Sequence, residues 1–421
     1  MKLLYFSLLF PLSLFAQEWA PLTSIPTNPS EFARYDDVFF LNENLGWAAN
    51  GNAAEVYKTT DGGTTWTLQL SEANLGSNNF YFRNVEFLNE NIGFVGTLNG
   101  VFLKTIDGGN NWEEVTNIPT NPVAICGLDA VGTSTIYGCG AWFWPAFIIK
   151  STDSGATWSY TDMSPYADAL VEVLFKDENI GYASGQKDGV GGIILKTING
   201  GQTWTQIYST NIDGEYVWKL QILASAPNTM FGSVESVAPM PGKLIKSTNA
   251  GVTWVSKNVP DTDIQAVGFV SPTHGWMGGH HTGFLETFDA GATWTPMEIG
   301  SNLNRIFFIG DIAYASGSTI YKYSDALSTI DFEEHARVSL NAAVHPNPVK
   351  DKLTVTIEFK EADHLRLELF DNTGHMIKEL HKDDISEAGK KTYTFDFPYA
   401  SGVYLINLHT NTGRQSIKFV H

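Results

Sequence analysis

The chain has 421 residues, of which 43% are apolar and 13% aromatic, and its net charge is −19. This length and composition suffice for more than one folded domain with a sizeable core. The acidic balance argues against binding to nucleic acid or to an anionic membrane surface. Because only 17% of the residues are charged, the chain does not have the composition of a disordered acidic tail.

Residues 1–16 have the pattern of a secretory signal peptide. Lys2 precedes the apolar run Leu3–Phe15, and Ala16 places a small residue before Gln17. The run is too short to span a membrane, and no later stretch approaches about 20 uninterrupted apolar residues. We therefore predict an exported chain that begins at Gln17 and has no transmembrane segment.

An eight-residue pattern, Ser/Thr-x-Asp/Asn-x-Gly-x-Thr/Asn-Trp, occurs six times. Its third residue advances in steps of 46, 46, 46, 50 and 40 residues, falling at Asp61, Asp107, Asp153, Asn199, Asn249 and Asp289. A repeat of this period with strand-like flanks is typical of a propeller or another β-repeat array.

Each copy of the pattern has the chemistry of a tight turn between two strands. The Asp or Asn side chain accepts backbone N–H bonds, Gly supplies a positive φ, and Trp opens the next strand. Two of the six positions are Asn, which is a poor ligand for hard cations and a poor general acid. We therefore predict structural turns at all six positions, rather than metal or catalytic sites.

The octet resembles the Asp-box, or BNR, repeat of sialidases, sortilin-type receptors and the photosystem II assembly factor Ycf48. Its surroundings, with Gly46-Trp47 ahead of Lys58-Thr59-Thr60-Asp61-Gly62, are most similar to the Ycf48-like group. The resemblance covers about residues 17–323. It implies a β-propeller whose Asp-box turns join the outer strands of each blade, away from the ligand face. A fold of this kind hosts many unrelated functions.

The N-terminal segment looks like the strand that follows an Asp-box. Trp19–Pro29 is similar to Trp112–Pro122, and Trp19 lies 47 residues before Trp66, which is one repeat period. The last repeat, Ile306–Tyr323, is followed by no Asp-box. We predict an all-β fold with seven four-stranded blades over residues 17–323, in which the N-terminal strand closes the last blade and protects the open edges.

Two sets of residues are candidates for a ligand face. The loops opposite the Asp-box turns include Trp142 and Trp144, and loops on a rigid scaffold often carry binding residues. The alternative is that such aromatic side chains only cap the core.

The second set comes from the mouth of the channel. Alignment of the innermost strands places at one position Asp36, Arg83, Ala124, Val171, Trp218, Gln265 and Asn304. It places at the next position Asp37, Asn84, Ile125, Glu172, Lys219, Ala266 and Arg305. A ring that combines charged residues with Trp218 predicts a site for a polar ligand or a peptide, and a solvated funnel is the alternative.

The residues do not single out a catalytic centre. Sialidases use three Arg around a carboxylate, whereas the arginines of the predicted propeller are Arg34, Arg83 and Arg305, which the alignment puts on adjacent blades. His280-His281 has no nearby Cys or carboxylate at zinc-ligand spacing, and there is no phosphate loop or nucleophile elbow. No metal or cofactor is therefore predicted.

The expected function is a binding or scaffold protein for a glycan, a peptide or a surface protein. The alternative is a glycan-active hydrolase with a carboxylate pair of its own. A deep acidic pocket between Asp36, Asp37 and Glu172 would favour the hydrolase.

Cys126 and Cys139 are the only cysteines, and they fall on the first two predicted strands of the third blade. In an exported protein an even pair fits a disulfide. Two buried thiols are the alternative.

After residue 323 the repeat ends. Residues 324–343 are predicted to be a linker, and residues 344–421 contain short strands and frequent turns, which predict a small Ig-like β-sandwich. Pro346-Asn347-Pro348, Gly402-Val403-Tyr404-Leu405 and Lys418-Phe419-Val420 resemble the type A sorting domain of the type IX secretion system of Bacteroidota. The resemblance implies that residues 344–421 contact the secretion machinery and direct the chain, through the periplasm, to the cell surface or the extracellular space.

Overall fold

The structure, a computed structural model, describes residues 17–28, 33–76, 80–140, 145–310, 312–325, 341–359, 363–371, 376–385, 387–400, 402–410 and 414–421. The predicted signal peptide lies outside these ranges, as do Trp142, Trp144 and most of the predicted linker. The chain divides into two compact units, Met1–Asp325 and Ala326–His421. The described residues are strands and turns with one short 3₁₀ helix, Glu72–Leu75. In those same ranges, no helix is long and apolar enough to cross a membrane.

The first unit consists of four-stranded antiparallel sheets, seven of them in the described residues. The first described strand is β1 (Gln17–Pro21). The first sheet contains β2 (Tyr35–Phe40), β3 (Gly46–Asn50), β4 (Glu55–Thr59) and β5 (Thr67–Ser71). The second contains β6 (Phe82–Phe87), β7 (Gly93–Thr97), β8 (Phe102–Thr105) and β9 (Glu113–Glu114). The third contains β10 (Ile125–Val131), β11 (Thr135–Gly140), β12 (Phe147–Ser151) and β13 (Ser159–Asp162).

The remaining sheets of this unit repeat the same up-and-down order. The fourth contains β14 (Ala169–Phe175), β15 (Gly181–Lys187), β16 (Gly191–Thr197) and β17 (Thr205–Ser209). The fifth contains β18 (Tyr216–Ile222), β19 (Met230–Glu235), β20 (Lys243–Ser247) and β21 (Val255–Asn258). The sixth contains β22 (Ile264–Phe269), β23 (Gly275–Gly279), β24 (Leu285–Thr287) and β25 (Thr295–Pro296). The seventh contains β26 (Arg305–Ile309), β27 (Ile312–Ser316), β28 (Ile320–Asp325) and β1.

The sheets are arranged around a common axis. The first strand of each sheet contacts the first strand of the next sheet, and β26 contacts β2. This cyclic order of contacts is the arrangement of a β-propeller, with the first strands innermost. Because neighbouring strands are antiparallel, the turns after the first and third strands share one face, here called the turn face. The loops after the second strands and the links between sheets share the opposite face, here called the loop face.

The two ends of this unit meet in the seventh sheet. β1 pairs antiparallel with β28, with Trp19 opposite Tyr323. The Trp19 side chain is 5% exposed, and its ring stacks on Phe284 of the sixth sheet at a centroid distance of 4.3 Å. The N-terminal strand therefore contributes both backbone pairing and core packing.

The interface between neighbouring sheets, here called the joint, contains stacked aromatic rings and a lysine in several of the sheet pairs. Between the first two sheets, Phe87 stacks on Trp47 at 3.5 Å, and Lys58 Nζ lies 5.3 Å from the Trp47 ring centroid. The same Lys58 Nζ donates a hydrogen bond of 2.9 Å to the Gly108 carbonyl in the next Asp-box turn. Equivalent lysines that donate to the turn of the following sheet are Lys150, Lys196 and Lys322.

The Asp-box turns are held by their own side chains. Asp61 Oδ1 accepts the Thr65 N–H at 2.8 Å, and the Thr65 hydroxyl donates to Asp61 Oδ2 at 2.6 Å. Asn199 makes the corresponding contacts with Thr203, accepting the N–H at 2.9 Å and donating to the hydroxyl at 2.9 Å. Hydrogen bonds from the Asn111 side chain and backbone lower the pKa of Asp107 to about 2. These contacts account for both Asp and Asn at this position without a bound ion.

The second unit has two sheets. One contains β29 (Asn341–His345), β30 (Lys352–Phe359) and β33 (Gly389–Asp396). The other contains β31 (Asp363–Asp371), β32 (Met376–Ile385), β34 (Val403–His409) and β35 (Arg414–Val420). Alternate side chains of both sheets, among them Val355, Leu367 and Ile406, form its apolar core. β29 begins inside the segment predicted as linker, and β28 extends two residues past the predicted end of the repeat region.

We predict that Trp19→Ala destabilises the first unit by about 3–5 kcal/mol, since it removes a buried ring from the strand that closes the ring of sheets. All 12 tryptophans lie between residues 19 and 294, so tryptophan fluorescence during denaturant unfolding follows this unit alone. The control is Val252→Ala at a side chain that is 74% exposed, where the change should stay within about 0.5 kcal/mol. Equal effects of the two substitutions would contradict the structural role of β1.

Candidate functional site

The inner strands bring most of the predicted ring residues together. The predicted alignment of β10, however, has to be corrected. β-Bulges shift the pairing in six inner strands, and in β10 the shift lies between Ile125 and Gly127. Ile125 pairs as Tyr35 does in the first sheet, so the equivalents of Asp36 and Asp37 are Cys126 and Gly127. The sequence alignment, which used Ala124 and Ile125, was wrong by two residues in this sheet.

At the loop-face end of the channel, Asp36 is fully buried between two arginines. Arg34 Nε lies 3.1 Å from Asp36 Oδ1, and Arg83 donates to the same oxygen. Burial and the Arg34 charge lower the pKa of His280 to about 4, and Arg34 Nη1 lies 3.3 Å from His280 Nε2. The two guanidinium groups are therefore anchored by one carboxylate beside a neutral imidazole.

Trp218 lies in the same region but is not exposed to solvent. Its side chain is 3% exposed, its indole N–H donates to Glu235, and the Arg83 guanidinium lies 5.4 Å from its ring centroid. Burial raises the pKa of Glu235. A ligand would therefore reach Trp218 only after a rearrangement of this end of the channel.

Farther along the channel, two further ion pairs cross between sheets. Glu172 accepts from Lys219, and both side chains are less than one tenth exposed. Arg305 Nη1 donates to Asp37 Oδ1 at 2.8 Å. The charged residues that the sequence placed in the ring are therefore largely buried and paired with one another.

Polar side chains of the channel also bind the backbone of the next inner strand. Asp37 Oδ2 accepts the Val85 N–H at 3.0 Å, and Gln221 Oε1 accepts the Phe269 N–H at 2.7 Å. In the third sheet, Asp129 Oδ2 accepts the Phe175 N–H at 2.6 Å. These bonds connect adjacent sheets, so the ring residues stabilise the propeller in addition to any binding role.

Sequence reasoning missed two carboxylates at the turn-face end, Glu86 and Asp129. Glu86 follows Asn84 by two residues in one strand, so strand alternation could have identified it. Asp129 lies two residues after Gly127, at the position equivalent to Phe39, which the sequence alignment did not compare. Burial raises the pKa of Asp129 to about 8 and that of Glu86 well above its ordinary value.

The loop face carries exposed apolar side chains. Val123, Tyr166, Val237 and Met240 are between 37% and 47% exposed, and each lies in a loop after a second strand or between sheets. Trp142 and Trp144 belong to a loop of the same face by sequence, but they lie outside the described residues. The turn face also carries exposed apolar side chains, Ile106, Ile198, Val252 and Phe288, so the loop face differs from it in the irregularity of its loops rather than in apolar exposure.

The described ranges show no group of three or more His, Cys, Asp or Glu placed to hold a metal ion. His281 is exposed, and its Nδ1 lies 2.9 Å from Asp263 Oδ2. Cys126 and Cys139 are buried thiols in the structure, and burial raises the pKa of Cys139.

Comparison with known proteins finds a similar family model for each of the two parts of the chain. Residues 15–161 match the family model of the photosynthesis system II assembly factor YCF48, and residues 343–421 match that of the secretion system C-terminal sorting domain. The first unit is thus similar to Ycf48, and the C-terminal residues are similar to a secretion sorting domain. The sorting domain indicates export to the cell surface or the extracellular space.

Two individual Ycf48 proteins are similar to a longer part of this chain than the family model is. The photosystem II assembly lipoprotein Ycf48 of Synechococcus sp. (strain CC9902) is 25% identical over 305 residues, which cover 67% of this chain and 81% of that protein. A structure of Ycf48 bound to D1 peptide has a TM-score of 0.55 at 21% identity, covering 73% of this chain and 96% of the other.

A second solved structure is PorZ, a surface component of the type IX secretion system of Porphyromonas gingivalis. It has a TM-score of 0.52 at 13% identity, and the match covers 92% of this chain and 59% of PorZ. At these identities the two structures show a similar fold and nothing more.

We predict that Glu172→Gln destabilises the propeller by about 3–5 kcal/mol because it leaves the buried Lys219 ammonium without its carboxylate. The double variant Glu172→Leu/Lys219→Met removes both charges and should lie within about 1 kcal/mol of the parent, or above it. Denaturant unfolding followed by tryptophan fluorescence measures both. If the single and double variants lose the same stability, the ion pair is not the reason for the loss.

Proposed function

We propose that this protein is an exported, surface-located propeller that binds a peptide segment of a partner protein on its loop face. The observation that carries the proposal is the set of exposed apolar side chains on that face: Val123, Tyr166, Val237 and Met240. On the turn face, exposed apolar side chains recur one to an Asp-box turn, whereas on the loop face they lie in loops of different lengths. Exposed apolar groups in such irregular loops favour contact with another protein. Trp142 and Trp144 remain candidates for the same surface on the basis of sequence.

The comparison with Ycf48 supports a peptide over a glycan. Ycf48 has a similar fold and its structure contains a bound D1 peptide. A propeller can form a peptide-binding site that needs no catalytic residues, because its loops are held in place by a rigid ring of sheets.

The hydrolase alternative is not favoured. It needed an acidic pocket between Asp36, Asp37 and Glu172, but each of these carboxylates is paired with a cationic side chain. A paired and buried carboxylate is poorly placed to protonate a leaving group or to attack a sugar.

We further propose that the seven described sheets are the seven blades of one closed propeller. The cyclic contacts between inner strands and the pairing of β1 with β28 support this count. The two sheets of the second unit support an Ig-like sandwich, which would engage the type IX secretion machinery through residues 344–421.

The test is a peptide-array screen with the full chain, followed by fluorescence anisotropy with the selected peptides. We predict that Val237→Ser/Met240→Ser weakens binding at least about tenfold, as expected when a contact that contributes over 1 kcal/mol is lost. Trp142→Ala/Trp144→Ala should weaken it as well.

The matched control is Ile106→Ser/Ile198→Ser, which alters two exposed apolar residues of the turn face. It should leave peptide affinity unchanged. A parallel glycan array with a reducing-end assay separates the other candidates. Glycan binding without peptide binding, or release of sugar, would contradict the proposal.

A further inference from the structure

A cavity of about 620 Å³ lies at the turn-face end of the inner strands, away from the loop face. Its charged lining consists of Glu86, Asp129, Glu172, Lys176, Lys219 and Arg305. Its apolar lining includes Leu174, Phe175, Leu220, Val267, Phe269 and Phe307. A volume of this size, with mostly apolar walls and a few convergent polar groups, is that of a small-ligand site.

Two of the three acidic side chains that line this cavity have no ion pair with a described residue. Lys219 pairs with Glu172, and Arg305 pairs with Asp37. Glu86 and Asp129 remain as two further carboxylates, with no ion pair to either of those cations. Lys176 also lines the cavity, but its side chain is exposed.

Glu86 is the least satisfied of these groups. Its side chain is 95% buried, since only 5% is exposed, and its Oε1 accepts a long hydrogen bond of 3.4 Å from the Ala130 N–H. Its Oε2 is buried and has no hydrogen-bond partner among the described residues. A buried carboxylate oxygen without a donor is costly unless a proton or a cation neutralises it.

We propose that the cavity binds an organic cation, a primary amine or guanidinium group on an apolar stem. The cationic head binds Glu86 and Asp129, and the methylene stem packs against Leu174, Phe175 and Phe307. Aromatic faces stabilise such a head further, and long cationic side chains commonly bury their stems in this way. This site is independent of the peptide site on the loop face.

A metal ion fits the cavity less well. Hard cations take six or more oxygen ligands, whereas the two unpaired carboxylates lie in largely apolar walls. A single ammonium or guanidinium group needs only a few acceptors and tolerates apolar surroundings.

Ligand binding should release protons. The groups that face the two carboxylates are Asp37 on β2, Glu172 on β14, Lys176 after β14, Lys219 on β18 and Arg305 on β26. Burial raises the pKa of Asp129 to about 8, so at neutral pH this carboxyl binds a proton that a cation displaces. The affinity for a cation therefore increases as the pH rises toward about 8.

Isothermal titration calorimetry of the full chain tests the proposal with agmatine and cadaverine, and with pentanol as the neutral control. A second pair of probes is an arginine-containing pentapeptide and its citrulline analogue. If the natural ligand is a small molecule, the free amines should bind. If it is the side chain of a protein partner, only the arginine peptide should bind. Titration in buffers of different ionisation enthalpy measures proton release.

The variants are Glu86→Gln and Asp129→Asn, which keep an acceptor oxygen for the Ala130 and Phe175 N–H groups. Each should weaken cation binding at least about tenfold, since each removes a charged hydrogen bond. Glu178→Gln is the control and should bind as the parent does. Tryptophan-fluorescence unfolding confirms that the variants are folded, and Glu86→Gln should be at least as stable as the parent.

Binding of an amine or of the arginine peptide, with proton release and loss in both variants, would support the proposal. Absence of binding by every cationic probe at millimolar concentration would overturn it. Binding that pentanol or the citrulline peptide reproduces, or that both variants retain, would overturn it as well.

Discussion

A four-stranded sheet has two faces to bury, and each described sheet of the first unit packs against its two neighbours. The joint between sheets therefore determines the rest of the structure. At the first joint, Phe87 lies flat on Trp47, and Lys58 reaches over the same ring to the Gly108 carbonyl. At the last joint, Phe40 lies on Tyr314, and Lys322 binds the Gly62 carbonyl. The Asp-box turn thus presents a backbone acceptor to the neighbouring sheet as well as closing its own hairpin.

Ring closure follows from the same requirement. Without β1, the outer edge of β28 would be an unpaired strand, and Phe284 would lose the ring that covers it. The two ends of the first unit are therefore held in one sheet. This arrangement makes the unit a closed ring whose loops can vary without opening an edge.

Charged residues of the channel also connect neighbouring sheets through ion pairs. Asp36, Glu172 and Asp37 each pair with a cation, and the Glu172 and Asp37 pairs join different sheets. Residues that resemble a binding ring in the sequence are thus largely occupied in holding the inner strands together. Two regions remain for ligands: the apolar loops of one face, and the cavity with the unpaired Glu86 carboxylate at the other end.

Much of the fold could be predicted from the sequence because it repeats. The octet and its period identify the turns, and the similarity of Trp19–Pro29 to Trp112–Pro122 pointed to the strand that β1 forms. The site was harder to predict, because its contacts join residues far apart in the chain, such as Arg305 and Asp37. Asp129 was not identified because the sequence alignment compared only two positions in each inner strand and placed those of β10 two residues too early. The burial of Trp218 depends on the neighbouring sheets, which strand alternation does not describe.

The central claim is that the sheets behave as one closed ring, because inner-strand bonds such as Asp37 to Val85 and Asp129 to Phe175 join each sheet to the next. Hydrogen–deuterium exchange of the full chain, read on peptides that cover β2, β6, β14, β22 and β26, tests it most directly. If the ring is closed, these strands share one slow rate of exchange, since their amides open only when the whole unit unfolds. If β26 and β2 exchanged much faster than β14, the sheets would open separately and the account would be wrong.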